Sequence, residues 1–320
     1  MANYGYTLSS EEHPPKALVE HAAHAEELGF DFVSISDHYH PWTSAQGHSP
    51  FVWSVLGAIA SATDQIQVGV GVTCPIMRIH PVVLAQATAT TSLLFNGRFF
   101  WGVGTGEALN EHVVAQHWPR PEIRLEMLDE AIRLIRELWK GETVDYSGKF
   151  YNTENARVFD APAAAIPIIV SGFGSSSAEL AGLIGDGYWG NSPDRELIDA
   201  FEAAGGTGPR YAQLTLCWGE NEDVAKKTVH EIWPTAGLTG QLSQDLPTWT
   251  HFEQATAPLT VDQVTASVPC GPDITGKVLE AVDEYLDAGL DHLYFHQVGH
   301  DQAGFFEFWQ NELQPALRAR

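Results

Sequence analysis

Two short segments carry the residue types from which acid–base and redox chemistry is built. One is Ser36-Asp37-His38; the other is Gly102-Val103-Gly104-Thr105-Gly106-Glu107. Glycines alternating at the end of an apolar run let backbone approach a flat or phosphorylated ligand closely. A carboxylate directly after them stands where charge changes, not where a core is packed. Histidine titrates near neutrality, so His38 can pass a proton to or from a substrate hydroxyl; Glu107 can orient it or handle a second proton. Gly102-x-Gly104-x-Gly106 is not a dinucleotide fingerprint, because the third glycine is at the wrong spacing and the motif does not open the first βαβ unit. Ser171-Gly172-Phe173-Gly174-Ser175-Ser176-Ser177 follows an apolar strand; small residues there expose N–H groups and hydroxyls to a phosphate, or simply cap a helix. His38-Tyr39-His40 has metal-ligand spacing, but the strands expected to add histidines end in Ser171 and Asn191, so that set is incomplete and no metal is expected.

The elements that must position these residues alternate almost throughout. Strands are expected over Tyr4–Leu8, Asp31–Ser36, Gln65–Val72, Arg98–Val103, Pro167–Ser171, Gly187–Asn191, Tyr211–Trp218 and His292–His296. Ile166–Val170 is apolar without alternation, as in parallel strands buried on both faces. Helical spacing joins Leu18, Ala22, Ala25 and Leu28, then Leu125, Leu128, Ile132, Ile135 and Leu138, and marks Val278 to Leu286. Gly29, Gly141, Gly205 and Gly289 fall where helices should stop. Eight strand–helix units without a composition break predict a single (β/α)8 TIM barrel over 1–320, with a doubly wound sheet as the alternative. Two segments interrupt the alternation: a hairpin near 145–160 and a Pro-, Thr- and Gln-rich insertion near 233–272.

Chemistry in such a barrel gathers at the C-terminal strand ends. These ends place Ser36-Asp37-His38, Cys74, Glu107, Ser171, Asn191, Trp218 and His296 in one polar ring with aromatic walls. Trp101 reads as core, whereas Trp42, Trp189, Trp218, Trp233 and Trp249 are candidates for the walls of a flat-cofactor pocket. His21 and His24, on the first helix, read as surface residues.

Composition bounds the partners. The chain of 320 residues carries 17 Lys+Arg against 41 Asp+Glu, a formal net charge of −24, which disfavours nucleic acid and anionic membrane. The three cysteines Cys74, Cys217 and Cys270 are far apart and lack CxxC spacing, as expected of reduced thiols. No apolar run spans a bilayer and no charged-then-apolar leader opens the chain, so a cytoplasmic protein is expected.

On these residues the chain resembles the coenzyme F420 (deazaflavin)-dependent glucose-6-phosphate dehydrogenases of the bacterial-luciferase-like barrel superfamily. The resemblance runs nearly end to end. It rests on Ser36-Asp37-His38 with Pro41-Trp42, on Gly47-His48-Ser49-Pro50-Phe51 and on the unbroken Gly102–Glu111 segment. Leu138-Trp139-Lys140-Gly141, Gly185-Asp186-Gly187, Phe295-His296 and Gly299-His300-Asp301-Gln302 extend it. It implies a barrel homodimer that moves a hydride between a substrate carbinol carbon and F420. It places His38, Trp42 and Glu107 at catalytic positions. Asp37, Val72, Cys74, Thr105, Gly106 and Asn110 fall where the deazaflavin is held, and Phe173, Gly174, Ser176 and Ser177 where its phosphate arm is held. It also implies a non-proline cis peptide between Gly71 and Val72. Cys74 replaces the usual threonine and removes one hydrogen bond.

The departures concern substrate. Family members that take sugar phosphates hold the phosphate with lysines and an arginine. Asp194 stands at one lysine position, no cation lies near Thr265–Val268, and none lies between Trp233 and Val268. A phosphate facing Asp194 would be repelled and would lack a bidentate partner. The expected activity is therefore an F420-dependent dehydrogenase of a non-phosphorylated secondary alcohol or sugar-type hydroxyl, with Asn191, Trp218 and His296 in the substrate pocket. The alternatives are an F420-dependent sugar-phosphate dehydrogenase and an FMN-dependent luciferase-like monooxygenase.

Overall fold

The computed structural model describes residues 2–320. Eight parallel strands are β1 (Asn3–Leu8), β2 (Phe32–Ile35), β3 (Gln67–Thr73), β4 (Phe99–Val103), β5 (Ile168–Ser171), β6 (Gly187–Gly190), β7 (Arg210–Trp218) and β8 (His292–Gln297). Each pairs with its sequence neighbours, and β8 pairs with β1. The sheet therefore closes into a barrel, and the doubly wound alternative is excluded. The main helices that cover it are α1 (Pro15–Glu27), α2 (Val52–Ala62), α3 (Pro81–Leu94), α4 (Pro121–Leu138), α5 (Ser175–Ile184), α6 (Arg195–Ala203), α7 (Glu222–Ile232) and α8 (Thr275–Asp287). Gly29, Gly141, Gly205 and Gly289 all adopt positive φ after helices, the conformation that a helix stop asks of glycine. Among the described residues no helix is long and apolar enough to cross a membrane.

Strand periodicity explains the two sides of the barrel wall. Tyr6, Val33, Ile35, Val68 and Val70 face the helices within one large apolar core. The alternate positions fill the interior with a separate cluster of Phe32, Phe100, Ile169, Trp189, Tyr211 and Tyr294. These rings stack: Tyr211 lies 4.9 Å from Phe100 and 5.0 Å from Trp189, centroid to centroid. Glycines leave the volume they need. A Cβ on Gly69 would stand 2.1 Å from Phe100 Cε2, and one on Gly71 would stand 2.4 Å from Trp189 Cζ2. Above this aromatic plug, toward the strand C-termini, the interior turns polar.

The expected hairpin is present as the antiparallel pair Val144–Ser147 and Asn152–Ala156. The 233–272 insertion carries short helical segments separated by turns. Thr248 caps Trp249–Thr256 and Thr260 caps Val261–Val264, so threonines that suggest loop serve as helix starts. The insertion is tied to the barrel mouth through Glu253 Oε1, which accepts from Ser44 Oγ at 2.6 Å. Two expectations need correction. His21 is half-buried, edge-on to His13 at 4.9 Å and against Tyr6, because α1 turns it under the C-terminal segment that carries Phe306. Trp218 faces away from the barrel mouth and stacks on Phe308, since even-numbered positions of β7 point outward.

Candidate active site

A cavity of about 630 Å³ opens at the C-terminal strand ends. It gathers Asp37, His38, Trp42, Val72, Cys74, Thr105, Gly106, Glu107, Asn110, Phe173, Ser177, Asn191 and His296 from the residues expected in the site. Gly174 and Ser176 are outside this lining, as is Trp218, which is turned onto Phe308. Of the other wall candidates, Trp189 forms the floor and Trp233 a side. Trp249 stays outside.

His38 leaves the end of β2 and reaches two carboxylates. Its Nε2 is 3.6 Å from Glu107 Oε2, and its Nδ1 is 3.1 Å from Glu11 Oε1, in ion-pair range but without hydrogen-bond alignment. Trp42 meets the imidazole edge-on at 5.1 Å, and Phe252 from the insertion supports Trp42 at 5.0 Å. Glu107 follows β4 at the point where the chain enters a short helix. Its side chain is 24% exposed. Removal from water pushes its carboxyl up to about 7; His38 opposes the rise, while Glu11 and Glu111 add to it. Asn110 Nδ2 donates to Glu107 Oε2 at 3.2 Å, while Asn110 Oδ1 accepts from the Tyr39 backbone N–H at 2.8 Å. Asn110 thus locks the His38 loop to the Glu107 turn.

Glu11 is a site residue that the sequence reading missed. It follows β1 in Ser9-Ser10-Glu11-Glu12, a run with every member buried. The strand-end rule applies to it as it does to His38, yet the ring of ends read from the sequence starts at Ser36. Glu11 Oε2 accepts from Ser36 Oγ at 2.7 Å and from Ser9 Oγ at 3.1 Å, which fixes the carboxylate behind His38.

The cofactor half of the cavity fits a flat, polar ring system. Asp37 Oδ1 accepts from Arg78 Nη2 at 2.8 Å, whereas its Oδ2 is buried without a partner among the described residues. An orphaned acceptor in a cavity wall asks for a donor from a ligand. Glu111 holds the other side of Arg78 through the Arg78 backbone N–H at 2.7 Å. Burial raises the Glu111 carboxyl and Arg78 opposes it. Gly104 and Gly106 leave their backbone bare: a Cβ on Gly104 would press on Val72 Cγ2 at 3.0 Å, and one on Gly106, at φ +76°, on Cys74 Sγ at 2.4 Å. The Gly71–Val72 peptide is cis. Burial pushes the Cys74 thiol well above its usual range, so it is a neutral packing group here. His40 turns away from His38, with Nδ1 3.2 Å from the Leu109 carbonyl.

The far half differs in charge. Asp194 caps α6, accepting from Glu196 N at 3.0 Å. Ser267, Val268 and Pro269 line the cavity where the resemblance asks for an arginine nearby. Among the described residues the lining includes the carboxylates Glu11, Asp37, Glu107, Glu111 and Glu284, and no lysine or arginine.

The profile of the luciferase-like monooxygenase family matches residues 2–292. A protein of Mycolicibacterium gilvum (strain PYR-GCK) named F420-dependent glucose-6-phosphate dehydrogenase is 37% identical, over 98% of this chain and 97% of its own. Its namesake in Mycolicibacterium smegmatis (strain ATCC 700084 / mc(2)155) is 35% identical over 98% and 97%. A solved structure of an F420-dependent secondary alcohol dehydrogenase, in complex with an F420–acetone adduct, superposes over 99% of both chains with a TM-score of 0.90 at 27% identity. The F420-dependent tetrahydromethanopterin reductase of Methanopyrus kandleri shares the fold, with a TM-score of 0.79 at 21% identity over 98% of this chain and 99% of its own. A profile match over most of the chain and relatives of this identity over nearly all of it lead to one assignment: the chain belongs to the luciferase-like monooxygenase family.

Proposed function

We propose that this chain is an F420-dependent dehydrogenase acting on a non-phosphorylated secondary hydroxyl of an alcohol or sugar. Dependence on F420 is common to its named dehydrogenase relatives and to the alcohol dehydrogenase it superposes on. Coenzyme F420, when bound, supplies the deazaflavin ring that exchanges a hydride with the carbinol carbon. Asp37, Val72, Cys74, Thr105, Gly106 and Asn110 would hold that ring, and Phe173, Gly174, Ser176 and Ser177 its phosphate arm. His38 takes the hydroxyl proton at Nε2 as the carbinol becomes a carbonyl. Glu11, behind Nδ1, stabilises the imidazolium that results. Glu107, with its carboxyl near 7, holds or releases the second proton of the overall reaction. Trp42 shapes the pocket around the carbinol and Trp233 closes it.

The choice of substrate class rests on the charge of the lining. A phosphate dianion needs two or three charge-assisted partners, each contributing roughly 1.5–3 kcal/mol. The lining offers carboxylates in their place. The sugar-phosphate alternative is favoured by the names of the relatives at 35–37% identity and disfavoured by a lining without lysine or arginine among the described residues. Steady-state kinetics on F420 reduction decide between them. Uncharged secondary alcohols should give the higher kcat/KM, and efficient turnover of glucose-6-phosphate at low concentration overturns the assignment. Equal or tighter binding of FMN than of F420 overturns the cofactor.

A further inference from the structure

The polar layer above the aromatic plug is more hydrophilic than proton transfer at His38 requires. Thr7 on β1 and Gln213 and Thr215 on β7 face the cavity beside His296 on β8. His296 is nearly sealed, with 1% exposure, and its Nε2 lies 2.6 Å from Glu12 Oε1. The second Glu12 oxygen accepts from Gly299 N at 2.7 Å. A carboxylate so fixed keeps a proton on Nε2 and sets the ring orientation. His296 Nδ1 then faces Gln213 Nε2 at 3.3 Å and Thr215 Oγ1 at 3.5 Å. Gln213 Nε2 is also 3.1 Å from Thr215 Oγ1. The amide nitrogen is used up inside the protein, and among the described residues no group donates to Gln213 Oε1. Thr7 Oγ1, in a residue nine-tenths buried, has no partner among the described residues. An unmet hydroxyl in a cavity wall costs stability unless a ligand pairs with it.

We infer that Thr7, Gln213, Thr215 and His296, with Glu12 as the group that positions His296, form a second hydrogen-bonding subsite for another hydroxyl of the substrate. The substrate class is then an uncharged polyhydroxy compound rather than an alkyl alcohol. This rests on the reading of the cavity as an alcohol dehydrogenase site, and the experiment separates the two.

The probes are cyclohexanol, cis-cyclohexane-1,3-diol and myo-inositol, which share a six-membered ring and differ in hydroxyl count. With F420 present, the better polyol should exceed cyclohexanol by about tenfold or more in kcat/KM, mainly through KM, since a site built for a hydroxyl rejects the analogue that lacks it. Gln213→Leu should erase most of that preference. Thr7→Val should weaken it while leaving the melting temperature unchanged or higher, because the oxygen removed has no protein partner; this variant keeps the test open if Gln213→Leu does not fold. Cyclohexanol matching both polyols, or either variant lowering all three probes by one factor, overturns the subsite. Saturation-transfer NMR on the cofactor-free chain gives a readout without turnover. Transfer to a polyol that disappears in Thr7→Val, with none of the probes oxidised, upholds the subsite and overturns the dehydrogenase reading. Turnover of cyclohexanol without polyol preference does the reverse.

Discussion

Replacing Glu107 by glutamine tests the electrostatics of the site apart from any substrate. In the folded chain the Glu107 carboxyl rises from 4.5 to about 7, first through burial and then through Glu11 and Glu111. In the unfolded chain it returns to its ordinary value. Between these pH values the folded state holds a proton that the unfolded state has lost, so stability falls as pH rises through this window. At about 1.4 kcal/mol per pH unit the full displacement corresponds to about 3 kcal/mol. Water reaches part of the side chain, so a measured difference of about 1–3 kcal/mol is expected. Glutamine keeps the size of the side chain and an acceptor for Asn110 Nδ2 but carries no charge. The variant and the parent should therefore be equally stable near pH 4.5, and the variant the more stable at pH 8. Urea unfolding of the cofactor-free proteins at both pH values measures it. Turnover of the variant should fall by about 10²–10⁴ because a proton-transfer group is gone. A stability difference independent of pH, or of opposite sign, refutes the account of Glu107 as a carboxyl strained by its surroundings.

His38→Ala should lose about 10²–10⁴ in kcat while F420 affinity in a fluorescence titration changes far less. Arg78→Met removes the cation between two buried carboxylates, Asp37 and Glu111, and should destabilise the chain by about 3–5 kcal/mol in urea unfolding. Gly106→Ala, at φ +76° and against Cys74, should weaken F420 binding more than the removal of the thiol by Cys74→Ala, as read by equilibrium titration. His13, pushed down to about 3 by burial and then by His21, stays neutral in the folded state while the unfolded state takes up a proton near 6.5. Stability therefore falls as pH drops below 6.5, and His13→Gln should flatten that fall in melting scans from pH 7 to 4.

The strands were legible because each carries two periodic signals at once. Gln67–Thr73 is apolar outward at Val68 and Val70, and its inward positions Gly69 and Gly71 are vacated for rings from neighbouring strands. That second feature depends on Phe100 and Trp189, which sequence spacing does not bring together. The same limit hid Glu11 and Arg78. A carboxylate after β1 and an arginine after β3 mean little alone; they acquire roles only when the barrel closes and sets them beside His38 and Asp37. Trp218 misled because a strand end does not by itself tell inward from outward, and one residue of register reverses the side. Within the insertion, Thr248 and Thr260 start short helices, because threonine caps a helix as readily as it enters a loop.

The charge around the cavity bears on the proposed choice of a non-phosphorylated substrate. Carboxylates crowd His38, and the Glu107 carboxyl is displaced upward first by burial and then by Glu11 and Glu111. A phosphate dianion in the same cavity would face each of these charges at an effective cost of about 4 kcal/mol for a pair at roughly 4 Å near a protein surface. A phosphate dianion asks for charge-assisted partners, so the cations near the cavity bear on the proposal. Arg195, next to Asp194, is drawn along α6 by Asp199 at 2.8 Å. Lys226 on α7 is paired with Glu222 at 2.7 Å. Arg78 is held between Asp37 and Glu111. Each has its own anion, and none lines the cavity. A neutral substrate would meet no such penalty, and in the proposed subsite its hydroxyls would pair with Thr7, Gln213 and Thr215. Adding a lysine at position 194 would supply one of the missing charges but remove the cap of α6. Asp194→Lys should therefore bring at most a small gain in glucose-6-phosphate turnover, together with a loss of about 1 kcal/mol in stability.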